Sequence, residues 1–260
     1  MTDNRWNAGA WSWFCVVMLP WAFAAHSVAQ ATTVQSALQP GTASAATDWY
    51  VVHWHGEDAA RAARCAGICA ARLRGLGVCI AKGFGLDAVH PRANQRLQVH
   101  VYEELSAWQA IEQKLTNGRF AGNQAFSHHD TKTSHIALQP VVAPALLDDR
   151  GPPKATLRVV AHEAAHLAVY RLCPGYRFHP SWLAEGIALQ AARRNADRRS
   201  SIDIRTQFDP DLGTTLSRVQ RLLAAGKLPS AQLILTDRLR ELDFYTRYAV
   251  QEWWFGFLTD

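Results

Sequence analysis

His162 and His166 enclose the segment HEAAH and lie four residues apart. On an α-helix, positions four apart differ by about 400° and therefore project from nearly the same side. Two imidazoles placed in this way can bind one metal ion, and this spacing is typical of zinc sites. Glu163 lies about 100° round the helix from His162, where it can reach a water molecule beside that ion. The segment predicts a metal site with an adjacent carboxylate base.

A third candidate ligand, Glu185, follows His166 after 18 intervening residues, within the segment HPSWLAEGIA. Catalytic zinc usually takes three protein ligands and leaves one position for water. We therefore predict that His162, His166 and Glu185 bind Zn²⁺ and that Glu163 acts as the catalytic base. The alternative is a helix whose histidines make ordinary hydrogen bonds.

This metal hypothesis requires two helices that cross each other. Thr156 is a candidate N-cap for the first helix, which we expect to run to Cys173 and to be stopped by Pro174. The second helix is expected to begin near Pro180 and to include Glu185. The two alanines between the histidines are small enough for the first helix to press against a sheet while the ligands face a cleft.

The sheet is predicted from two segments with alternating hydrophobic residues, 48–55 and 96–102. A helix with acids at its start and glycines at its end is expected between them, over 56–77. A further helix is expected over 104–115, because Trp, Ile and Leu recur there at helical spacing.

Residues 118–140 predict an edge hairpin that turns near Asp130. The hairpin carries three histidines: His128, His129 and His135. A metal site is one interpretation of them, but their spacing fits neither a helix face nor one strand face, so exposed loop histidines are the favoured interpretation. Residues 134–140 are our candidate for a strand that pairs with a peptide backbone.

Only helices are expected beyond residue 174, so the predicted fold class is α+β. We expect a small mixed sheet with the active-site helix, followed by a mainly helical C-terminal subdomain. The α/β subdomain is predicted to span 48–174. The helical subdomain, which supplies the third zinc ligand, is predicted to span 175–260.

Residues 1–29 have the features of a signal peptide: an early arginine, a long apolar run and small residues before the end. An uncleaved membrane anchor is the alternative, because the apolar run is near the lower limit for a span. Residues 30–47 are small, polar and without periodicity, which predicts a flexible leader. We expect an exported protein, periplasmic or secreted, with no stable membrane span after signal cleavage.

Four cysteines remain after the predicted cleavage: Cys65, Cys69, Cys79 and Cys173. In an exported protein they permit two disulfides, with three alternative pairings. Cys65 and Cys69 are one helical turn apart and could instead be small buried side chains. None of the four has the spacing of a zinc knuckle or a redox pair.

The formal net charge is +5, and most of the positive charge is spread along the chain. The one local concentration, ARRNADRR at 192–199, is explained by a solvated helix end. A nucleic-acid binder usually concentrates its Lys and Arg residues along one element together with aromatic residues. We therefore expect no nucleic-acid partner, and the oligomeric state is left open.

The pattern HEAAH, 18 residues, then Glu within W-L-x-E-G resembles the gluzincin metallopeptidases, which include thermolysin-like and aminopeptidase-like enzymes. Over residues 48–260 the chain is more closely similar to the peptidase-MA-like domains of small exported bacterial proteins. Looser matches are YVVHW, VHVYEELSAWQ, GKLPSAQLIL and the closing YAVQEWWFGFL.

This resemblance implies a zincin-like fold, a zinc cofactor and a peptide or protein substrate. It places His162, His166 and Glu185 at the zinc-ligand positions and Glu163 at the position of the base. Tyr248 falls where these enzymes often have a tyrosine that stabilises the oxyanion, and Tyr245 is its competitor. Aromatic packing is the alternative role for either tyrosine.

Three functions are compatible with these residues. The first is a zinc metallopeptidase, in which Glu163 takes a proton from the attacking water. The second is an exported zinc-bearing binding module without turnover, a pseudo-peptidase. The third is a purely structural exported domain without metal. The intact Glu163 favours the first.

Overall fold

The computed structural model describes residues 41–84, 86–87, 90–138, 151–173, 181–197, 215–236, 239 and 242–259. The predicted signal peptide, residues 1–29, lies outside the described residues, and the predicted leader is described only from Gly41 onward. None of the described helices is long and apolar enough to cross a membrane.

Five strands form one mixed sheet: β1 (Ala43–Ala46), β2 (Tyr50–His55), β3 (Leu97–Tyr102), β4 (Ala125–His128) and β5 (Thr133–Ala137). Their order in the sheet is β1-β2-β3-β5-β4. The three inner strands are parallel, whereas β1 and β4 are antiparallel to their neighbours.

Eight α-helices are described: α1 (Ala59–Leu73), α2 (Leu76–Gly83), α3 (Leu105–Thr116), α4 (Lys154–Leu172), α5 (Ser181–Asp197), α6 (Thr215–Ala224), α7 (Ala231–Leu235) and α8 (Phe244–Thr259). The first three lie between strands, with α1 and α2 in succession between β2 and β3 and α3 between β3 and β4. The last four follow α4 without a further strand among the described residues. The predicted α+β class, with a small mixed sheet and helices after it, is confirmed.

The main core lies on one face of the sheet. Tyr50, Val52 and Trp54 of β2 point to this face and are fully buried, as are the alternate residues of β3. Helices α1 and α4 cover them with small side chains, so that helix and sheet approach closely. This alternation is the signal that allowed both strands to be predicted.

The structure differs from the expected first helix, over 56–77. Helix α1 ends at Leu73, and α2 begins at Leu76. Gly75 between them has φ 79°, a left-handed conformation that glycine adopts without a Cβ penalty. The glycines were correctly interpreted as a helix end, but the short apolar α2 that follows gave too few residues for a periodic signal.

The prediction of a flexible leader is wrong for residues 43–46, which form β1. This strand pairs with β2 from Ala43↔Trp54 to Ala46↔Val51. Its small alanine and serine side chains show no alternation of apolar and polar residues. The strand is ordered by backbone hydrogen bonds to β2. Periodicity arguments therefore could not detect it.

The second face of the sheet carries a row of stacked histidines. Strand register aligns His53 of β2 with His100 of β3, and His100 with His135 of β5. Neighbouring ring centroids are 4.6 and 5.0 Å apart with planes within 15° of parallel. His55 lies next to this row, with its Nε2 3.0 Å from Nδ1 of His100. We call these four residues the histidine row.

Two members of the histidine row are closed off from solvent, and His53 and His100 are half-buried. His55 is 3% and His135 is 5% exposed, and a second apolar cluster under α3, containing Trp108 and Phe126, continues the layer. The interpretation of His135 as an exposed loop histidine is therefore wrong. The expected hairpin is confirmed, with strands β4 and β5 on either side of the turn that contains Asp130.

Cys65 and Cys69 of α1 are free thiols and are fully buried. Burial raises the pKa of Cys65 to about 11 and raises that of Cys69 further. The interpretation of these two residues as small buried side chains is confirmed.

Candidate metal centre

Helix α4 is enclosed by other elements on most sides. Ten of its residues are buried, among them the alanines Ala161, Ala164, Ala165 and Ala168. The Tyr50 hydroxyl of β2 donates to the carbonyl oxygen of Ala164 at 3.2 Å and ties the helix to the sheet. The predicted packing of the small side chains against the sheet is confirmed.

The predicted N-cap at Thr156 is wrong: α4 begins at Lys154 after Pro153, and Thr156 is buried within the first turn.

Helix α5 packs against α4 and brings Glu185 to the two histidines. The Nε2 atoms of His162 and His166 are 3.2 Å apart. Oε2 of Glu185 is 3.2 Å from Nε2 of His162 and 3.6 Å from Nε2 of His166. The three donor atoms therefore form a nearly equilateral triangle, and in the described part of the chain this is the one group of metal-ligating side chains that converges in this way.

The size of this triangle can be compared with what a zinc ion requires. In a tetrahedral site, two ligands at 2.0–2.1 Å from the ion are separated by about 1.63 times that distance, or about 3.3–3.4 Å. The observed separations of 3.2, 3.2 and 3.6 Å bracket this value. Two imidazole nitrogens and one carboxylate oxygen are also a donor set that suits zinc. The residues fit the ion in number, type and spacing.

The electrostatics of the triangle favour a cation. Burial opposes the charged form of His166, but the carboxylates of Glu185 and Glu163 outweigh it, so the pKa of His166 is raised. Burial likewise opposes ionisation of Glu185, yet the two histidines hold the pKa of its carboxyl well below the usual range. The carboxylate of Glu185 thus stays negatively charged at one corner of the triangle and attracts positive charge.

Glu163 lies beside the triangle on α4 and is only 8% exposed. Its Oε2 accepts a hydrogen bond of 2.6 Å from the Ser127 hydroxyl of β4. Its main-chain carbonyl oxygen lies 3.2 Å from the hydroxyls of both Ser127 and Ser134. The carboxylate that was predicted to be the base is therefore held from the strand side of the helix.

Tyr248 of α8 stands on the other side of the site. Its ring centroid is 6.3 Å from that of His162, and its hydroxyl forms a hydrogen bond with Glu185. Burial, together with the negative charges of Glu185 and Glu163, raises the pKa of the Tyr248 hydroxyl, so it remains a proton donor at neutral pH. The side chain of the competing Tyr245 lies outside the described residues.

Sequence reasoning missed several residues near the site. Tyr170 lies one turn beyond His166 on the same helix face, with ring centroids 6.4 Å apart. The ring of His129 contacts that of Tyr170 in a tilted arrangement, with 53° between the ring planes. The spacing of four residues between 162, 166 and 170 was a signal that could have identified Tyr170. Ser127 and Ser134 gave no such signal, because their proximity to Glu163 depends on how the hairpin packs against α4.

Residues 134–140 were our candidate for the strand that pairs with a peptide, and this prediction is wrong. Within that segment, β5 is hydrogen-bonded to β3 on one side and to β4 on the other, so neither edge is open. The strand at this border of the described sheet is β4.

A comparison of the chain with protein-family models, curated proteins and solved structures finds no match. The site is therefore interpreted from its own geometry.

Proposed function

We propose that this chain is a zinc-dependent metallopeptidase that uses Glu163 as general base. The observation that supports this most strongly is the triangle of His162, His166 and Glu185 donors at tetrahedral spacing, with the buried Glu163 next to His162 on the same helix. The zincin-like character suggested by the sequence and the export of the protein are parts of the same proposal.

The zinc ion, when bound, would supply a Lewis acid that makes a water molecule more acidic and polarises a carbonyl group. His162 and His166 would hold it as neutral ligands, so His166 would release on binding the proton that its raised pKa favours. Glu185 would contribute one negative charge. The site would then keep a net charge of +1, which favours hydroxide over water.

Glu163 would take the proton of the attacking water and later pass it to the leaving amine. A general base must lie within hydrogen-bond reach of the proton that it removes. What supports this role is that Glu163 follows His162 on the helix that carries both histidines, and that its negative charge acts on His166. Ser127 engages only one of its carboxylate oxygens, Oε2.

Tyr248 would donate a hydrogen bond to the carbonyl oxygen of the scissile peptide as that oxygen gains negative charge. Its hydroxyl stays protonated at neutral pH and lies next to Glu185, so it is directed toward the metal centre. Removal of one such donor typically slows catalysis by about 10² to 10³-fold.

A peptide could reach this site along β4. The outer side of β4 has no strand partner among the described residues, and Ser127 of the same strand touches Glu163. A substrate added to this edge by backbone hydrogen bonds would pass close to the base.

The substitution Glu163→Gln tests the proposal. We expect the purified variant to keep the zinc content of the wild type but to lose cleavage of a mixed peptide library by at least about 10²-fold, as measured by mass spectrometry of the products. Glu57→Gln, which changes an exposed carboxylate on the loop before α1, is the matched control and should cleave normally.

Cleavage by Glu163→Gln at the wild-type rate would overturn the mechanism. Zinc binding by the wild type without cleavage of any peptide in the library would instead favour the pseudo-peptidase.

A further inference from the structure

The hydroxyls of Ser127 and Ser134 meet Glu163 at the inner face of the hairpin. Ser127 of β4 and Ser134 of β5 are register partners, with their Oγ atoms 2.7 Å apart. We infer that Ser127 is a positioning residue that fixes the carboxylate of Glu163 for proton transfer. This inference rests on the proposed function, since it assigns a role within the same site.

The distances assign the direction of the hydrogen bond between Ser127 and Glu163. A serine hydroxyl has one proton to donate, and the contact of Ser127 with Glu163 Oε2 is 2.6 Å, against 3.2 Å to the Glu163 carbonyl oxygen. The shorter contact is typical of a hydroxyl that donates to a carboxylate. Ser127 therefore donates to Oε2, and Ser134 can donate either to Ser127 or to the carbonyl oxygen.

The two serines consequently have different roles. Ser134, which is fully buried, reaches only the main chain of Glu163 and helps to set the position of α4 on the sheet. Ser127 also reaches the carboxylate, so it restricts the side-chain torsions. With Oε2 engaged, Oε1 is the oxygen left to receive a proton. A base held in one orientation does not have to be ordered during the reaction.

The register of the hairpin determines this arrangement. Side chains alternate between the two faces of a strand, so a shift of one residue would direct Phe126 or His128 toward α4 in place of Ser127. The turn between the strands includes Lys132 with φ 56°, a left-handed conformation that fixes where β5 starts. The strand pairing is thus connected directly to the orientation of the base.

Three substitutions separate positioning from folding. In the zinc-loaded protein, we expect Ser127→Ala to lower kcat by about 10- to 100-fold while KM and the affinity for zinc stay unchanged. Ser127→Thr keeps the hydroxyl on a β-strand and should restore kcat to within about threefold of the wild type. Ser134→Ala, the matched control, should lose much less kcat than Ser127→Ala even if it unfolds at a lower temperature.

Crystal structures of zinc-loaded wild type and Ser127→Ala provide a readout that does not depend on turnover. In the wild type, we expect the Glu163 carboxylate to accept a hydrogen bond from the Ser127 hydroxyl. In the variant, we expect the Glu163 side chain to adopt different torsion angles. An unchanged carboxylate position in Ser127→Ala would overturn the inference, as would full kcat in that variant or an equal loss in Ser134→Ala. If the wild type cleaves no peptide, the proposed function fails, and the two structures still decide the role of Ser127.

Discussion

Acidification should destabilise this protein through its histidine row. Burial lowers the pKa of His55 to about 4, with a contribution from the neighbouring His53, and burial lowers the pKa of His135 to about 3. The pKa of His100 is lowered as well, also chiefly by burial. In the unfolded chain each histidine titrates near its ordinary value of about 6.5.

The sign follows from which state binds protons first. Because the folded-state pKa is lowered, the unfolded chain takes up protons below about pH 6.5 while the folded protein does not, so acid favours unfolding. The contribution is complete above pH 6.5 and is lost progressively down to about pH 4 for His55 and about pH 3 for His135.

The magnitude is large relative to the stability of a domain. The value pH 5 lies about 1.5 units below the pKa of a histidine in the unfolded chain. At 1.36 kcal/mol per unit, this difference amounts to about 2 kcal/mol of lost stability for each buried ring. His55 and His135 together account for a loss of about 4 kcal/mol between pH 7 and pH 5. A typical domain has about 5–15 kcal/mol in total.

Urea unfolding of the wild type and of His55→Gln at pH 7 and pH 5 measures this loss. Zinc affinity also falls on acidification, because the histidine ligands take up protons, so the contribution of one ring is the difference between the two proteins. His55→Gln should reduce the difference between the two pH values by about 2 kcal/mol. Thr42→Val, which removes the hydroxyl 3.2 Å from Nδ1 of His55 without removing a titrating ring, should retain most of the difference. Equal stability of the wild type at both pH values would contradict this prediction.

Further predictions concern the site and the core. Tyr248→Phe should lower kcat by about 10²-fold or more, because it removes a donor to the developing negative charge. Steady-state kinetics measures this change, and an unchanged kcat would contradict the role of Tyr248. Glu185→Ala should weaken zinc binding by at least about 10-fold, measured by competition with a chelator, since two histidines remain. Gly77→Ala should destabilise the fold by about 1–3 kcal/mol in urea unfolding, because a Cβ there would lie 2.2 Å from the ring of Trp49.

The sequence was most informative where the spacing of one residue type indicates a single kind of structure. The alternation in β2 and β3 predicted buried strands, and the spacing of His162 and His166 predicted a shared helix face. Glu185 could be proposed because a helix break precedes it. The structure brings all three predicted ligands together, and their separations could not have been derived from spacing alone.

The missed features depend on contacts between distant segments. Strand β1 is ordered by backbone pairing, which small side chains do not report. Ser127 meets Glu163 only because the hairpin packs beneath α4, 36 residues later in the chain. His135 was assigned to an exposed loop because a single histidine does not reveal that its strand lies between two others.

Anomalous X-ray scattering at the zinc absorption edge, from crystals of the purified full chain, shows whether zinc is bound by these three side chains. We expect one strong peak within bonding distance of Nε2 of His162, Nε2 of His166 and a carboxylate oxygen of Glu185, and no such peak in His166→Ala. A crystal soaked in zinc that shows no density at this triangle, or a peak that survives His166→Ala and Glu185→Ala together, would contradict this expectation.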